Sequence, residues 1–239
     1  MAYNFLGLVN DVCGRLNETP LTSSTFPTSK NFYTTVKDSV NAALRDINHQ
    51  QYDYPFNHNA IEVYLEAGIA RYPLPSNAKK IDFDTVRILR DDTLNVQTTI
   101  LKQIQYNEYI RKFLDDELNT AVTGEVPRYI AKSQSNEFVI APKPDQDYVL
   151  ELEYFMHPAD LVLYDDVPTV PEAFKHVIID GAMYHAYMFR DNAQSAAMAE
   201  AKFKEGIKAL RSLLVNEYIS VVDTRVHHAR SSSVVPRIN

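Results

Sequence analysis

The sequence predicts an α+β protein: an antiparallel helical bundle built from both chain ends, an inserted β-sandwich or barrel-like domain, and an extended C-terminal arm. Three observations predict it. Apolar residues recur at steps of three and four near both ends, the middle alternates with a period of two, and the final stretch has no periodicity. Helices at opposite ends of a chain bury their stripes against each other, which makes the middle an insertion. The expected divisions are 1–50 (N-terminal helices), 51–160 (β-rich insert with one short helix), 161–218 (C-terminal helical hairpin) and 219–239 (arm).

Phe5, Leu8, Val9, Val12, Cys13 and Leu16 define one helical face, and Pro20 with Thr22 to Thr25 reads as the loop after it. A second helix is expected from Asn31 to His49, with Phe32, Val36, Val40, Ala43, Leu44 and Ile47 on its face and Thr28 or Ser29 as cap. The aromatic turn Tyr52 to Asn57 changes the pattern. Ile61, Val63 and Leu65 then alternate with Glu62, Tyr64 and Glu66, as in a strand with one buried face. Gly68 breaks it, and Tyr72-Pro73-Leu74-Pro75 ends a second extended piece. Lys80 to Leu89 reads as a strand whose parity flips near Asp84, implying a bulge or bend there. After a turn at Asp91-Asp92, Val96 to Leu101 reads as a further strand. A short helix follows on Ile104, Tyr106, Tyr109, Ile110, Phe113, Leu114 and Leu118. Strands resume at Arg128–Lys132, Glu137–Ala141 and Tyr148–Met156, the last two joined as a hairpin through Pro142, Pro144 and Asp145.

Leu161 to Pro171 reads as a connection. Pro171 and Glu172 suit a helix start, and that helix runs to Arg190 on a stripe of Phe174, Ile178, Ala182, His185 and Phe189. Asp191-Asn192 is a short break, and the next helix runs from Ala193 to Tyr218 on Ala196, Ala199, Phe203, Ile207, Leu210 and Leu214, giving an antiparallel hairpin. Gly181 and Gly206 inside these helices each cost about 1 kcal/mol relative to alanine, which close helix approach would explain. The tail carries Arg225, His227, His228, Arg230, Ser231 to Ser233, Pro236 and Arg237, and reads as an extended arm without a fold of its own.

The 239 residues suffice for a real core, and 45% hydrophobic with 23% charged residues is ordinary globular composition. A net charge of -7 argues against long-range attraction to nucleic acid. The single cysteine, Cys13, excludes an internal disulfide and suits a helix interior. The opening Met-Ala-Tyr-Asn-Phe-Leu lacks the basic and apolar segments of a signal peptide, and no apolar run approaches a membrane span. The protein is expected to be cytosolic when made.

Chemical motifs are scarce. The six glycines form no phosphate loop or nucleophile elbow, and no His-Glu-x-x-His or Cys-x-x-Cys points to zinc, so no cofactor and no metal is expected. The pairs Asp91-Asp92, Asp115-Asp116 and Asp165-Asp166 read as solvated turns or helix ends. Asp82 and Asp84, two residues apart on one strand face, are the candidate pair for a metal-dependent nuclease, against the plainer reading of a polar sheet face. His176 and His185, nine apart on one helix, are not at ligand spacing. Adjacent His227 and His228 point to opposite sides of an extended strand. Tyrosine crowds the β region, where sheet packing accounts for most of it and subunit contact is the functional reading.

The element order, with Leu8-Val9-Asn10-Asp11, Val40 to Ile47, the aromatic turn at Tyr52 to Asn57, Tyr72-Pro73-Leu74-Pro75 and the closing hairpin from Pro171 to Leu214, resembles the head-to-tail adaptor (connector) proteins of short-tailed bacteriophages. Tyr54 and Phe56 stand where many such proteins carry tryptophan. The resemblance implies a non-enzymatic virion protein at the head–tail junction, a self-assembled ring of twelve copies. Such a ring docks on the portal protein, extends the DNA channel and offers the attachment surface for the tail nozzle protein. DNA would pass without specific binding, and no membrane is involved. The arm is then the portal contact, presenting Arg225, His227, His228, Arg230, Val234, Val235, Arg237 and Ile238. A tail nozzle or tube subunit is the alternative within the same class.

Overall fold

The computed structural model describes residues 2–50, 52–91, 96–119, 121 and 123–215. Among them the chain is mixed α+β, with five α-helices and two sheets. The arm, and the expected helical residues from 216 to Tyr218, lie outside the described residues.

Helix α1 (Phe5–Arg15) starts where the Asn4 side chain accepts the Gly7 N–H at 2.9 Å, and it buries Phe5, Leu8, Val9, Val12 and Cys13. Helix α2 (Phe32–Asn48) buries the expected Val36, Val40, Ala43, Leu44 and Ile47. Its expected cap does not form: Asn31 precedes the helix at φ 57° without a side-chain cap, while the Ser29 hydroxyl donates backward to the Phe26 carbonyl. The short helix of the middle is α3 (Tyr106–Leu118). A 3-10 turn, Glu172–Phe174, leads from Pro171 into α4 (Lys175–Phe189), and Asn192 caps α5 (Ala193–Leu214) by accepting the Ser195 N–H.

Helix α4 is in contact with α1, α2 and α5. It buries Val177, Ile178, Ile179, Gly181, Ala182, Met183 and Ala186, a wider face than the expected stripe. Phe189, assigned to that stripe, is 63% exposed because the hairpin turn carries it past the end of the core. The glycines mark close approach within the chain. A Cβ on Gly181 would lie 2.7 Å from the Phe203 ring and 2.8 Å from the Ala43 Cβ, and one on Gly206 would lie 2.8 Å from the Val177 Cγ2. Residues of α1, α2, α4 and α5, with Tyr54 and Val170, share one buried cluster.

The strands are β1 (His58–Leu65), β2 (Arg71–Pro73), β3 (Ala78–Ile81), β4 (Arg87–Ile88), β5 (Thr99–Ile100), β6 (Lys102–Gln103), β7 (Tyr129–Lys132), β8 (Glu137–Ala141) and β9 (Tyr148–Met156). The first sheet runs β1-β9-β4-β5, with β3 also on β9. Since β1 occupies one edge of β9 along its length, β3 and β4 share the other edge end to end. The expected strand from Lys80 to Leu89 is thus two short strands, and the parity flip is the bend between them. The second sheet runs β2-β8-β7-β6, with β6 parallel to β7.

One expected pairing fails. The strands β8 and β9 lie in different sheets, so Pro142 and Pro144 mark a crossing between sheets rather than a hairpin. Proline-rich loops suit either connection, and only the pairing partners distinguish them. Leu65, Tyr72, Ile88, Ile130, Phe138, Ile140, Leu150, Leu152 and Tyr154, drawn from both sheets, form a second buried cluster. A third joins Tyr109 of α3 to Ala131, Val139 and Ala141.

Candidate assembly surfaces

The connection from β9 to α4 contains a rigid apolar loop. Asn41, buried in α2, grips Leu161 twice: its Nδ2 donates to the Leu161 carbonyl and its Oδ1 accepts the Leu161 N–H, both at 3.0 Å. The Asp166 carboxylate accepts the N–H groups of Val162 and Leu163 at 2.7 Å each. The carbonyls of Asp166 and Tyr164 accept the Phe5 and Leu6 N–H groups at 2.8 and 3.0 Å. Those donors belong to the first turn of α1, which has no intrahelical acceptor for them. Held at both ends, the loop presents Val162, Leu163 and Val167 at 73%, 60% and 62% exposure, with Tyr164 beside them. Clustered apolar side chains on a fixed backbone mark a surface built to be covered.

A cleft of about 350 Å³ lies where the end of α2 meets the end of β9, lined by Asn48, His49, Asn77, Met156 and His157 among others. The His49 and His157 rings are 5.1 Å apart. Burial, then the nearby His49 and Lys79, hold the His157 imidazole below its usual pKa. Its Nδ1 is buried without a hydrogen-bond partner among the described residues. Asn57 donates to Asn48 at 2.7 Å and accepts from Thr169 at 3.0 Å, tying α2, the turn before β1 and the connection together. Lys79 adds bonds to the Gln50 and Tyr52 carbonyls at 2.5 and 2.6 Å.

The open face of the first sheet is acidic. Glu62 stands opposite Glu151 in the β1–β9 register. Arg87 reaches Glu151 at 2.6 Å and Glu153 at 3.0 Å, and the His58 Nε2 lies 3.2 Å from Glu153. A depression of about 520 Å³ beside it includes Glu62, Tyr64, Glu66 and Asp147. Between residues 51 and 160 the sequence holds eleven Lys and Arg against eighteen Asp and Glu, so this region alone accounts for the net charge of -7.

Helix α3 is clamped on the second sheet. Arg71 donates to both Glu117 oxygens at 2.5 and 3.0 Å, and the Tyr109 hydroxyl donates to Glu117 at 2.8 Å. Burial opposes the charge on Glu117, but the bonds from Arg71 and Tyr109 outweigh it and keep the carboxyl below the usual range.

The arm residues Arg225, His227, His228, Arg230, Val234, Val235, Arg237 and Ile238 lie outside the described residues. Asp82 and Asp84 do not share a strand face. They sit in the bend after β3, where the Asp82 carboxylate accepts the Asp84 N–H at 3.2 Å. Among the described residues no group of three or more His, Cys, Asp or Glu could hold a metal ion. His185 contacts Asp46 at 2.9 Å and His176 is exposed. Cys13 is fully buried, and burial, then Glu18, push its thiol up to about 11. Tyr54, Tyr72, Tyr109, Tyr148 and Tyr154 are core residues, while Tyr64 is 71% exposed. Reading 161–171 as a plain connection missed the loop; its signal was four large apolar residues within the six from Val162 to Val167. Among the described residues no helix is long and apolar enough to cross a membrane.

A chain whose distinctive surface features are a locked apolar loop and an acidic sheet face has the character of an assembly component. The family model of the SU10 adaptor protein matches residues 3–230. The chain belongs to this family, and it is a phage head-to-tail adaptor protein with a structural role in the virion. No curated protein matches the sequence.

Proposed function

We propose that the protein assembles as a ring of twelve copies at the head–tail junction, docks on the portal protein, extends the DNA channel and carries the attachment surface for the tail nozzle protein. The observation that carries this reading is the locked loop at 161–167. A closed ring needs each copy to present fixed, mutually complementary patches to its neighbours, and exposed apolar side chains on an immobilised backbone supply one. The helices of residues 1–50 and 161–218 act as one bundle, the sheets of 51–160 as an inserted β-sandwich, and 219–239 as the portal-binding arm. In the arm, Arg225, His227, His228, Arg230, Val234, Val235, Arg237 and Ile238 meet the portal, and the arginines pair with its carboxylates. Repeated around the ring, individually weak arm contacts add through avidity.

The role is structural rather than enzymatic and uses no cofactor. The carboxylate excess of the β region suits a conduit, because a basic lining would hold the DNA and slow its exit. Two measurements test the reading. Mass determination with and without portal should show the full chain joining a ring. The double variant Val162→Asp, Leu163→Asp should keep its far-ultraviolet spectrum and melting point yet fail to assemble. Rings of normal mass from that variant would remove the loop from the interface. Deleting residues 219–239 should leave a folded body that no longer attaches to portal, and attachment without the arm would refute the arm's role.

A further inference from the structure

Strand β1 has an edge that pairs with no strand among the described residues. Its eight residues pair with β9 without a register shift, from His58 opposite Phe155 to Leu65 opposite Tyr148. Among the described residues no strand pairs with its other side. The Ala60 N–H goes to the Asn59 side chain at 3.1 Å, so by the period of two the backbone groups of Ala60, Glu62 and Tyr64 aim at the free edge. All three residues are exposed. Proteins guard long edges with lysine, proline, bulges or short strands. The segment His58–Leu65 has no lysine, no proline and no bulge, while the other edge strands, β2, β3, β5 and β6, are two to four residues long and β3 carries two lysines.

The end of α5 lies beside the start of this edge. Arg211, in the last turn of α5, stacks over the Tyr52 ring at 4.3 Å, and Leu214 and Val215 pack on the same cluster as Tyr52 and Phe56. Only the turn Pro55–Asn57 separates that point from His58. Three residues of extended chain reach about 10 Å, a length that would let the chain after Val215 come to the edge. The segment that follows, Tyr218-Ile219-Ser220-Val221-Val222-Asp223, is rich in the aromatic and β-branched residues that favour strands. Arg225 comes two residues later, and the far end of β1 carries Glu62 and Glu66 with Asp147 adjacent. Neither Glu62 nor Glu66 has an ion pair among the described residues.

We propose that Tyr218–Asp223 add to the free edge of β1 as a parallel strand of the same chain, with Arg225 beside Glu66. This seat fixes the root of the arm and its direction of exit. It leaves the residues beyond Arg225 free for the partner, and only that last clause rests on the arm's proposed role. The β1 edge is then a guide rather than a hazard, occupied by the chain that emerges next to it.

Amide hydrogen exchange on the full-length protein tests the seat without any portal present. Val221→Pro removes a donor and blocks ladder pairing in the added strand, while Ser231→Pro lies beyond it. The Ala60, Glu62 and Tyr64 amides should exchange about tenfold faster or more in Val221→Pro than in the parent and in Ser231→Pro. Equal exchange in all three proteins would overturn the proposal. Protection that grows with protein concentration would overturn it too, by assigning the strand to a second copy. Either failure leaves portal attachment by the arm to stand or fall on its own measurement.

Discussion

Gly181, Gly206 and Gly14 all lie inside helices, yet their surroundings predict opposite responses to the same substitution. An added Cβ at Gly181 meets the Phe203 ring and Ala43, both below 3 Å, so Gly181→Ala must push α5 or α2 away. Overpacking of this kind destabilises by about 1–3 kcal/mol. Gly14, in α1, has nothing within 4 Å of the added atom. There the gain in helix propensity prevails, and Gly14→Ala should stabilise by about 0.5–1 kcal/mol. Denaturant midpoints at a constant slope read both changes, and the same sign in both variants would contradict the packing described. The sequence exposed the cost of helical glycines but not which neighbour required each one, because the partners are 22 and 138 residues away for Gly181 and 29 for Gly206.

At the scale of elements, α3 depends on a clamp. Its buried face is small, centred on Tyr109, and Arg71 and Glu117 supply much of what fixes it to the second sheet. Arg71→Ala should cost about 1–2 kcal/mol, between the values for exposed and buried ion pairs. It should raise exchange in the α3 amides before the rest of the molecule. Because the folded Glu117 pKa lies below its unfolded value, the clamp contributes fully above that unfolded value and is lost as pH falls through the folded one. Melting followed from pH 5 to 3 should show this loss, and Glu117→Gln should flatten it. The loop at 161–167 makes a parallel case: Asn41→Leu removes both bonds to Leu161 and strands two backbone groups, at about 2 kcal/mol. Its assembly defect should exceed what the lost stability explains, since the loop would no longer be held. Helices and the longer strands were legible from periodicity alone, and β9 falls on its expected bounds. Cap and pairing identities were not legible. Thr28 and Ser29 are equally plausible caps in sequence, yet Asn31 precedes the helix, and two strands around a proline loop pair or part according to contacts elsewhere.

For the molecule as a whole, periodicity separated helical ends from a β middle, while the candidate surfaces stayed hidden because they are defined by what surrounds them. Val162, Leu163 and Val167 read as part of a plain connection until the fold shows them held and exposed, and Asp82 and Asp84 read as a shared face until the bend parts them. The helical and sheet clusters meet at the cleft of His49 and His157, and this seam yields a pH prediction. His157 is disfavoured from taking a proton by burial first, then by His49 and Lys79. Its folded pKa therefore lies below the unfolded value of about 6.5. The unfolded chain binds more protons between those two values, so stability is full above pH 6.5 and declines as pH falls toward the folded pKa. The charge that forms there faces His49 at the end of α2, across the seam, with the cationic Lys79 of its own sheet beside it, so separation of the two clusters should open before either melts. Tryptophan is absent from the chain, so tyrosine fluorescence and amide exchange at Gln50 to Asn57 are suitable readouts. His157→Gln should abolish the decline that begins below about pH 6.5 while leaving the acid loss from Glu117 in place. A parent protein whose stability is flat just below that pH would show that the imidazole reaches solvent and that the seam does not sense protons.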